Sequence, residues 1–216
     1  QASASDAIPS FNPVSFKHSL WSSFTPSCWS NFSPPLTLND PFELWAVSQP
    51  NKQLRKGLRD WKRTMSERYG LLCFSRSWHN PLLWSHYGDR HRGMALGFDI
   101  RDELLRPVDY VDKRPSFKNA NQATAKGLLF TKFSGWQYEE ESRIYTRLEE
   151  RDPVSHLHFA EFSDDLVLQE VIAGPLCTES KQIIRSSLEG YAYRVRLIKS
   201  RLAFKTFRVV KDQKGF

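Results

Sequence analysis

Three consecutive carboxylates occupy the stretch GWQYEEESRIY, residues 135–145, of a chain whose net charge is positive. In an extended segment alternate side chains point to the same side, so Glu139, Glu141 and Arg143 would form one row and Glu140 would face away. Neighbouring carboxylates repel each other, which raises the proton affinity of one, while the arginine pairs with the other. Such a row can act as an acid or a base, or stabilise a developing cation.

The alternative for the same stretch is a helix. Glu139 and Arg143 would then be an i,i+4 ion pair worth a few tenths of a kcal/mol, and no chemistry would follow. The rings that flank the acids, Trp136 and Tyr138, favour the functional interpretation.

The stretch WSHYG, residues 84–88, places a second set of functional groups close together. His86, Tyr87 and Gly88 combine a flat ring, a hydrogen-bond donor and a tight glycine, which suit a pocket for a planar heterocycle. His91 follows at a spacing that could suggest a metal, but a third strong ligand is missing at a matching position. We therefore expect no metal here.

A third stretch, LNDPFE, has Asn39 and Asp40 before a proline, which predicts an Asx-type turn stiffened by the prolyl ring. It is either a well-built turn and nothing more, or it places Asn39 and Asp40 at the mouth of a pocket.

Four phrases in order, SPPLTLNDPFE, LWSHYGDRHRGMALGFD, K..GWQYEEESR and LVLQEVIAG, resemble the bacterial domain-of-unknown-function family 2971. The resemblance runs from about residue 33 to about residue 180. It implies a setting in abortive infection or phage defence, as a toxin or beside a cognate antitoxin or other defence partner. The first residues depart from the family, which usually begins with a tyrosine-rich strand.

The residue types are also similar to the histidine, tyrosine and glutamate arrangement of ADP-ribosyltransferases. In that interpretation His86 and Tyr87 grip NAD, and Glu141 stabilises the positive charge that develops on the ribose. Glu139 orients or deprotonates the acceptor, which would be a nucleic acid or a protein. The remaining predicted NAD-binding residues are Arg143, Trp136, Asn39 and Asp40.

Two other functions compete with this one. In a non-catalytic nucleic-acid-binding module, the basic face of a helix over residues 51–69 would contact phosphates through Arg55, Lys56, Arg59, Lys62 and Arg63. The Arg- and Lys-rich strands over 194–211 would also contact phosphates, and exposed rings would stack on bases. In a metal-dependent nuclease, Asp40, Glu139 and Glu141 would surround magnesium.

Composition limits these choices without deciding among them. Lys and Arg outnumber Asp and Glu by 31 to 24, giving a net charge of +7, so a nucleic acid, a nucleotide or another anionic partner is favoured. The three cysteines are widely spaced and odd in number, which predicts a reduced, cytoplasmic setting. No apolar run is long enough to predict a membrane span, and no signal pattern opens the chain.

The order of elements predicts one α+β domain over residues 11–216, behind a disordered leader at 1–10. Its core is a mixed or antiparallel sheet, with helices concentrated in the first half. Helices are predicted over 51–69, ended by Gly70, after Asn80 up to Gly88, over 118–132, and after Thr178 as N-cap. Strands are predicted over 71–75, 93–100, 107–111, 143–148, 157–162, 166–174, 193–199 and 202–209.

Overall fold

A computed structural model of the chain describes residues 14–17, 29–31, 40, 42, 52–114, 127–148, 153 and 158–216. Its helices are α1 (Lys52–Arg68), α2 (Pro81–Tyr87) and α3 (Lys181–Ser186), with 3-10 helices at Asp102–Leu104 and Ser134–Glu139. Its strands are β1 (Val14–Lys17), β2 (Trp29–Asn31), β3 (Tyr69–Ser75), β4 (Met94–Ile100), β5 (Arg106–Pro107), β6 (Asp109–Val111), β7 (Thr131–Phe133), β8 (Glu141–Arg147), β9 (Phe159–Glu161), β10 (Leu166–Ala173), β11 (Arg196–Leu202) and β12 (Val209–Lys211).

An eight-stranded sheet in the order β12-β11-β10-β4-β1-β3-β8-β5 forms the centre of the protein. Strands β10 and β11 are parallel, and the other neighbours are antiparallel. Two small sheets accompany it, the antiparallel pair β2-β9 and the parallel pair β6-β7. The predicted single α+β domain with a mixed sheet is confirmed, and the two longest helices among the described residues lie in the first half.

A β-bulge in β10 keeps the core continuous. The register against β4 shifts between Leu168 and Glu170, so one residue of β10 is unpaired. Because of this extra residue, Leu166 and Leu168 before the bulge face the same apolar cluster as Val171 and Ala173 after it. Without the bulge, strict alternation would turn the second pair to the opposite face of the sheet.

The two faces of the sheet are covered by different helices. Ile184 of α3 belongs to the larger apolar cluster, which also contains the side chains of β4 that alternate away from Ala95. On the other face, Trp84 of α2 is fully buried against Ala95, Ile172 and Val209. Helix α2 is therefore fixed to the middle of the sheet, and its last residues lie at a defined position.

Helix α2 forms as predicted. Asn80 is its N-cap, the Asn80 Oδ1 atom accepts a hydrogen bond from the Leu82 amide at 3.0 Å, Pro81 occupies the first turn, and Gly88 ends it. Helix α1 also forms as predicted. Gly70 does not end it, however, because the chain enters β3 directly and Gly70 pairs with Thr146 of β8.

Three further predictions differ from the structure. Residues 118–126 of the predicted helix 118–132 lie outside the described part of the chain, and residues 131–133 form β7, which pairs with β6. Thr178 is not an N-cap, since Ser180 takes that place and its Oγ accepts from the Ile183 amide at 3.2 Å. Residues 203–208 form a turn where a strand over 202–209 was predicted.

The loop that follows α2 has an unusual backbone. Asp89, Arg90 and His91 have φ angles of 46°, 51° and 71°, three successive left-handed residues without a glycine. The His91 amide donates to the Trp84 carbonyl at 3.1 Å, and the His91 carbonyl accepts from the Leu176 amide at 3.0 Å. Hydrogen bonds to α2 and to the segment after β10 therefore hold the loop.

Replacing Gly174 with alanine tests the close approach of this loop to the end of β10. An added Cβ would lie 2.3 Å from the His91 carbonyl oxygen and 2.8 Å from that of Gly93, both backbone atoms. We expect G174A to lower the free energy of unfolding by about 1–3 kcal/mol, measured by urea denaturation. The control G57A, in an exposed helical position with open space around it, should raise stability by about 0.5–1 kcal/mol.

Candidate active site

The predicted acidic residues lie where four elements meet. Strand β8 carries Glu141 and Arg143, the preceding 3-10 helix ends at Glu139, β7 carries Lys132, and the end of α2 carries Tyr87. Strand β8 is held between β3 and β5 in the central sheet, and β7 is held by β6. All of these side chains are thus held in position by regular secondary structure.

A left-handed turn at Glu140 explains why its two neighbours both face inward. Glu140 has φ 45° and ψ 49° and is exposed, while Glu139 and Glu141 are 3% and 6% exposed. The predicted extended row over 139–143 is wrong at Glu139, which ends a 3-10 helix, and the alternative of a surface helix is wrong as well. Glu140 is the outward-facing acid, as expected from alternation, but a reversal of the backbone causes it.

Four charged side chains form one buried network. Arg143 grips Glu141 with two parallel bonds, from Nε to Oε1 at 2.6 Å and from Nη2 to Oε2 at 2.9 Å. Lys132 Nζ lies 3.0 Å from Glu141 Oε2 and 2.5 Å from Glu139 Oε2. Each of the four residues is at most 6% exposed. The two positive charges balance the two negative ones, as burial of charges in a protein interior requires.

Backbone groups fix this network in place. Arg143 Nη1 donates to the Leu129 carbonyl at 2.6 Å, and the Glu141 amide donates to the Tyr110 hydroxyl at 2.9 Å. The Ser75 hydroxyl donates to the Glu139 carbonyl at 2.7 Å. Both carboxylates are therefore oriented from the main chain as well as from the side chain.

Glu141 is an anion at neutral pH, because its pKa is lowered. Burial would raise the pKa of its carboxyl, but the charge and hydrogen bonds of Arg143, together with Lys132 and a hydrogen bond with Cys73, lower that pKa to about 2. Both Glu141 oxygens are engaged by cations. This side chain can hold Arg143 and Lys132 in position, and it has little capacity left for a substrate.

The pKa of the Glu139 carboxyl is shifted in the opposite direction, above its ordinary value. Burial raises the pKa of its carboxyl, Lys132 and the Tyr87 hydroxyl oppose that rise, and the charge of Glu141 adds to it. The Tyr87 hydroxyl donates to Glu139 Oε1 at 2.6 Å. Burial and the charge of Glu139 raise the pKa of Tyr87, so this hydroxyl stays protonated as a donor. Glu139 can therefore act as a base, and the neutral Tyr87 hydroxyl that is bonded to it can relay a proton.

Aromatic rings surround the outer side of the Tyr87–Glu139 pair. The exposed His86 ring lies 5.8 Å from Trp136, 6.4 Å from Tyr138 and 6.1 Å from Tyr87, measured between ring centroids. Lys132 Nζ lies 5.1 Å from the centre of the Trp136 ring. We call His86, Trp136 and Tyr138 the ring platform. The ring platform lies next to the buried acids, because Trp136 contacts Lys132, which binds both Glu139 and Glu141.

Asn80 ties the ring platform to α2. Besides capping the helix, its Nδ2 donates to the Tyr138 carbonyl at 3.3 Å. One residue therefore fixes the start of the helix that carries His86 and Tyr87, and the backbone beside Glu139. The structure thus brings together six predicted site residues, namely His86, Tyr87, Trp136, Glu139, Glu141 and Arg143.

Asp40 is buried and forms the predicted Asx turn, its Oδ1 accepting from the Phe42 amide at 2.8 Å. Asn39 lies outside the described residues. Among the residues that the structure describes, no group of three or more His, Cys, Asp and Glu side chains could hold a metal ion. Asp40, Glu139 and Glu141 are therefore not arranged around one cation as the nuclease interpretation requires.

The basic face of α1 is mostly as predicted. Arg55, Lys56, Arg59 and Arg63 are exposed, and Arg63 pairs with Asp60 at 3.1 Å. Lys62 is a correction, because it is 8% exposed and faces inward one turn before the buried Ser66. Four of the five predicted phosphate-binding residues thus remain accessible.

Lys132, Tyr110 and Ser75 are site residues that the sequence analysis missed. Lys132 was placed at the end of a helix, although two buried acids beside one arginine require a second cation, and Lys132 is the nearest one in the quoted motif. Tyr110 and Ser75 come from distant strands. No spacing in the sequence connects them with the acids.

No family model, curated protein or solved structure matches this chain. The assignment to family 2971 therefore stays a prediction. Within the described residues, no helix is long and apolar enough to cross a membrane.

Replacing Arg143 tests whether the network stabilises the fold. R143M leaves Glu141 buried with one cation, so we expect the free energy of unfolding to fall by about 3–5 kcal/mol. Arg147 lies on the same strand and is exposed, so R147M should change stability by less than about 0.5 kcal/mol. Chemical denaturation of both variants measures the difference, and equal effects would contradict a structural role of the network.

The two acids should respond to pH with opposite signs. The pKa of Glu141 is about 2 in the folded protein and ordinary in the unfolded chain, so its contribution of about 3 kcal/mol is present above about pH 4.5 and lost toward pH 2. The stability difference between wild type and E141Q should shrink over that range. Because the pKa of Glu139 is raised, wild type should gain stability relative to E139Q as pH falls from neutral toward 4.5. E140Q serves as the control, because it removes one carboxylate from the exposed side of the same acidic run.

Proposed function

We propose that this protein is an enzyme of the ADP-ribosyltransferase type, which cleaves NAD and transfers ADP-ribose to a nucleic-acid or protein acceptor. One observation carries the proposal. Glu139 is a buried carboxylate with a raised pKa, hydrogen-bonded to the protonated Tyr87 hydroxyl beside the ring platform. A buried base behind a neutral proton carrier, next to a cluster of aromatic rings, suits a reaction on a planar substrate.

The ring platform suits the nicotinamide of NAD. Nicotinamide in NAD is a flat ring with a positive charge, and such a ring is attracted to the faces of Trp136 and Tyr138. Its departure takes the electron pair of the glycosidic bond and leaves positive charge on the ribose. The Glu139 carboxylate lies close to the platform, where it would stabilise that charge more in the transition state than in the ground state.

The proton of the acceptor needs a destination when the acceptor bonds to the ribose. Tyr87 would receive it and pass its own hydroxyl proton to Glu139, whose raised pKa makes it the better base of the two acids. Tyr87 is then the residue that touches the acceptor, with Glu139 behind it. Glu141, first expected at the ribose, fits a positioning role better, because Arg143 holds it through two hydrogen bonds and lowers the pKa of its carboxyl, whereas Glu139 has no arginine partner among the described residues.

A nucleic-acid acceptor is supported by the exposed arginines and lysine of α1. Arg55, Lys56 and Arg59 lie on one accessible helix and could contact phosphates. The same surface is the reason to retain a non-catalytic nucleic-acid-binding module as the second candidate. That candidate predicts binding that weakens steeply with salt and does not depend on Glu139. A role in phage defence, with a cognate antitoxin or defence partner, belongs to this proposal only through the resemblance to family 2971.

Incubation with labelled NAD and cell extract tests the function. We expect transfer of label by the wild type, a decrease of about 100-fold or more in E139Q and in Y87F, and an unchanged rate in E140Q. E140Q is the matched control, because Glu140 is the exposed neighbour in the same acidic run. NAD binding, measured by calorimetry, should persist in E139Q and Y87F.

Three results would separate the candidates. Equal labelling by wild type and E139Q would contradict the proposed chemistry. Absence of labelling together with absence of NAD binding would overturn it, and salt-sensitive binding of an oligonucleotide by both proteins would then favour the binding module. Loss of labelling on addition of EDTA would point instead to a metal-dependent reaction.

A further inference from the structure

The hairpin formed by β11 and β12 has a well-defined tip. Residues 203–208, AFKTFR, connect the strands, and the Ala203 amide donates to the Arg208 carbonyl at 2.9 Å. The base is anchored, since the Val209 amide donates to the His79 carbonyl at 2.9 Å and Val209 is fully buried. The tip is therefore held on a fixed base.

The tip presents large apolar side chains to solvent. Phe207 is 97% exposed, Phe204 is 89% exposed and Leu202, at the end of β11, is 54% exposed. Two phenylalanines this exposed within four residues are unusual, because each ring could bury roughly 150–250 Å² of surface. Their clustering marks an interaction site better than one exposed residue would.

The charged residues of the segment that forms the hairpin have one sign. From residue 191 to residue 211 the chain has seven Lys and Arg residues and no Asp or Glu. Two of the seven are used internally, since Arg196 pairs with Glu170 and Lys199 donates to carbonyls of the neighbouring segment. Arg201, Lys205 and Arg208 surround the rings, and the Arg201 guanidinium lies 4.3 Å from the centre of the Phe204 ring.

We propose that residues 201–208, the hairpin tip together with the adjoining end of β11, dock the protein on the surface of an anionic lipid bilayer. Phe204 and Phe207 would enter the boundary between headgroups and acyl chains, where apolar burial favours binding. Lys205 and Arg208 would remain at the level of the headgroups and bind their negative charges. This attachment is peripheral and does not depend on the proposed reaction.

The shape of the tip favours a bilayer over single-stranded nucleic acid. Proteins that bind single strands use a basic groove that follows the backbone, with bases stacked along it. The tip is a convex turn between two strands, which suits a broad, soft surface. One face of the Phe204 ring is also occupied by Arg201, which leaves less of it for stacking on a base.

Co-sedimentation with phosphatidylcholine vesicles, with and without phosphatidylserine, tests the proposal. We expect binding only to vesicles that contain phosphatidylserine. F204S/F207S should weaken that binding at least about tenfold, and K205A/R208A should weaken it roughly 30-fold. Circular dichroism would show that both variants keep the fold, because none of the four side chains is buried.

Two matched controls separate the tip from general properties of the chain. K181A/R185A removes the same charge from the exposed face of α3, and L82S/I183S removes two exposed apolar side chains from α2 and α3. Both should bind vesicles like the wild type. Absence of vesicle binding, or equal losses in tip and control variants, would overturn the proposal. So would binding of a single-stranded oligonucleotide that F204S/F207S abolishes while vesicle binding is unchanged.

Discussion

The buried carboxylates of Glu139 and Glu141 require two cations to balance their charge. The geometry of the whole site depends on this balance. Arg143 and Lys132 come from strands that belong to different sheets, and each contacts Glu141. Strand β8 cannot shift relative to β7 without separating a buried charge from its partner, which costs several kcal/mol. The charge balance therefore positions strands as well as side chains, and it fixes Glu139 beneath the ring platform.

Glu139 and Glu141 have the same side chain, but their surroundings suit them to different roles. Glu141 is surrounded by cations and is held as an anion, whereas Glu139 has one lysine, one phenol and the negative charge of its neighbour. Their proton affinities diverge although they are separated by one residue. The left-handed backbone of Glu140 makes this possible, because it turns both acids inward from different elements.

Local signals in the sequence predicted much of the fold and the residue types of the site. The cap at Asn80, the proline after it and the apolar run of β4 were sufficient for α2 and β4, because those signals act within a few residues. Lys132 was placed in a helix, since its role depends on acids seven and nine positions later and on pairing with β6. Tertiary contacts decided that segment, and propensity alone could not.

The left-handed turn at Glu140, which directs Glu139 and Glu141 inward, could not be predicted from local signals either. Alternation assumes an unbroken strand, and a glutamate in the left-handed region carries no signature in its residue type. The bulge in β10 has the same character, since only the apolar residues on either side reveal it once the register is known. At Glu140 and at the bulge the backbone departs from regular geometry. As a result, the side chains on either side of each irregularity face the same buried environment.

The left-handed stretch Asp89–His91 also bears on the order in which the protein folds. Each of these residues prefers a right-handed backbone by about 1–2 kcal/mol, so an isolated peptide of this sequence would not adopt the loop. One hydrogen bond is local, from the Arg92 amide to the Asp89 carbonyl at 3.0 Å, but the bond from the Leu176 amide to the His91 carbonyl lies in place only after the segment that follows β10 has packed. We infer that this connection is locally frustrated and closes late, after the sheet around it has assembled.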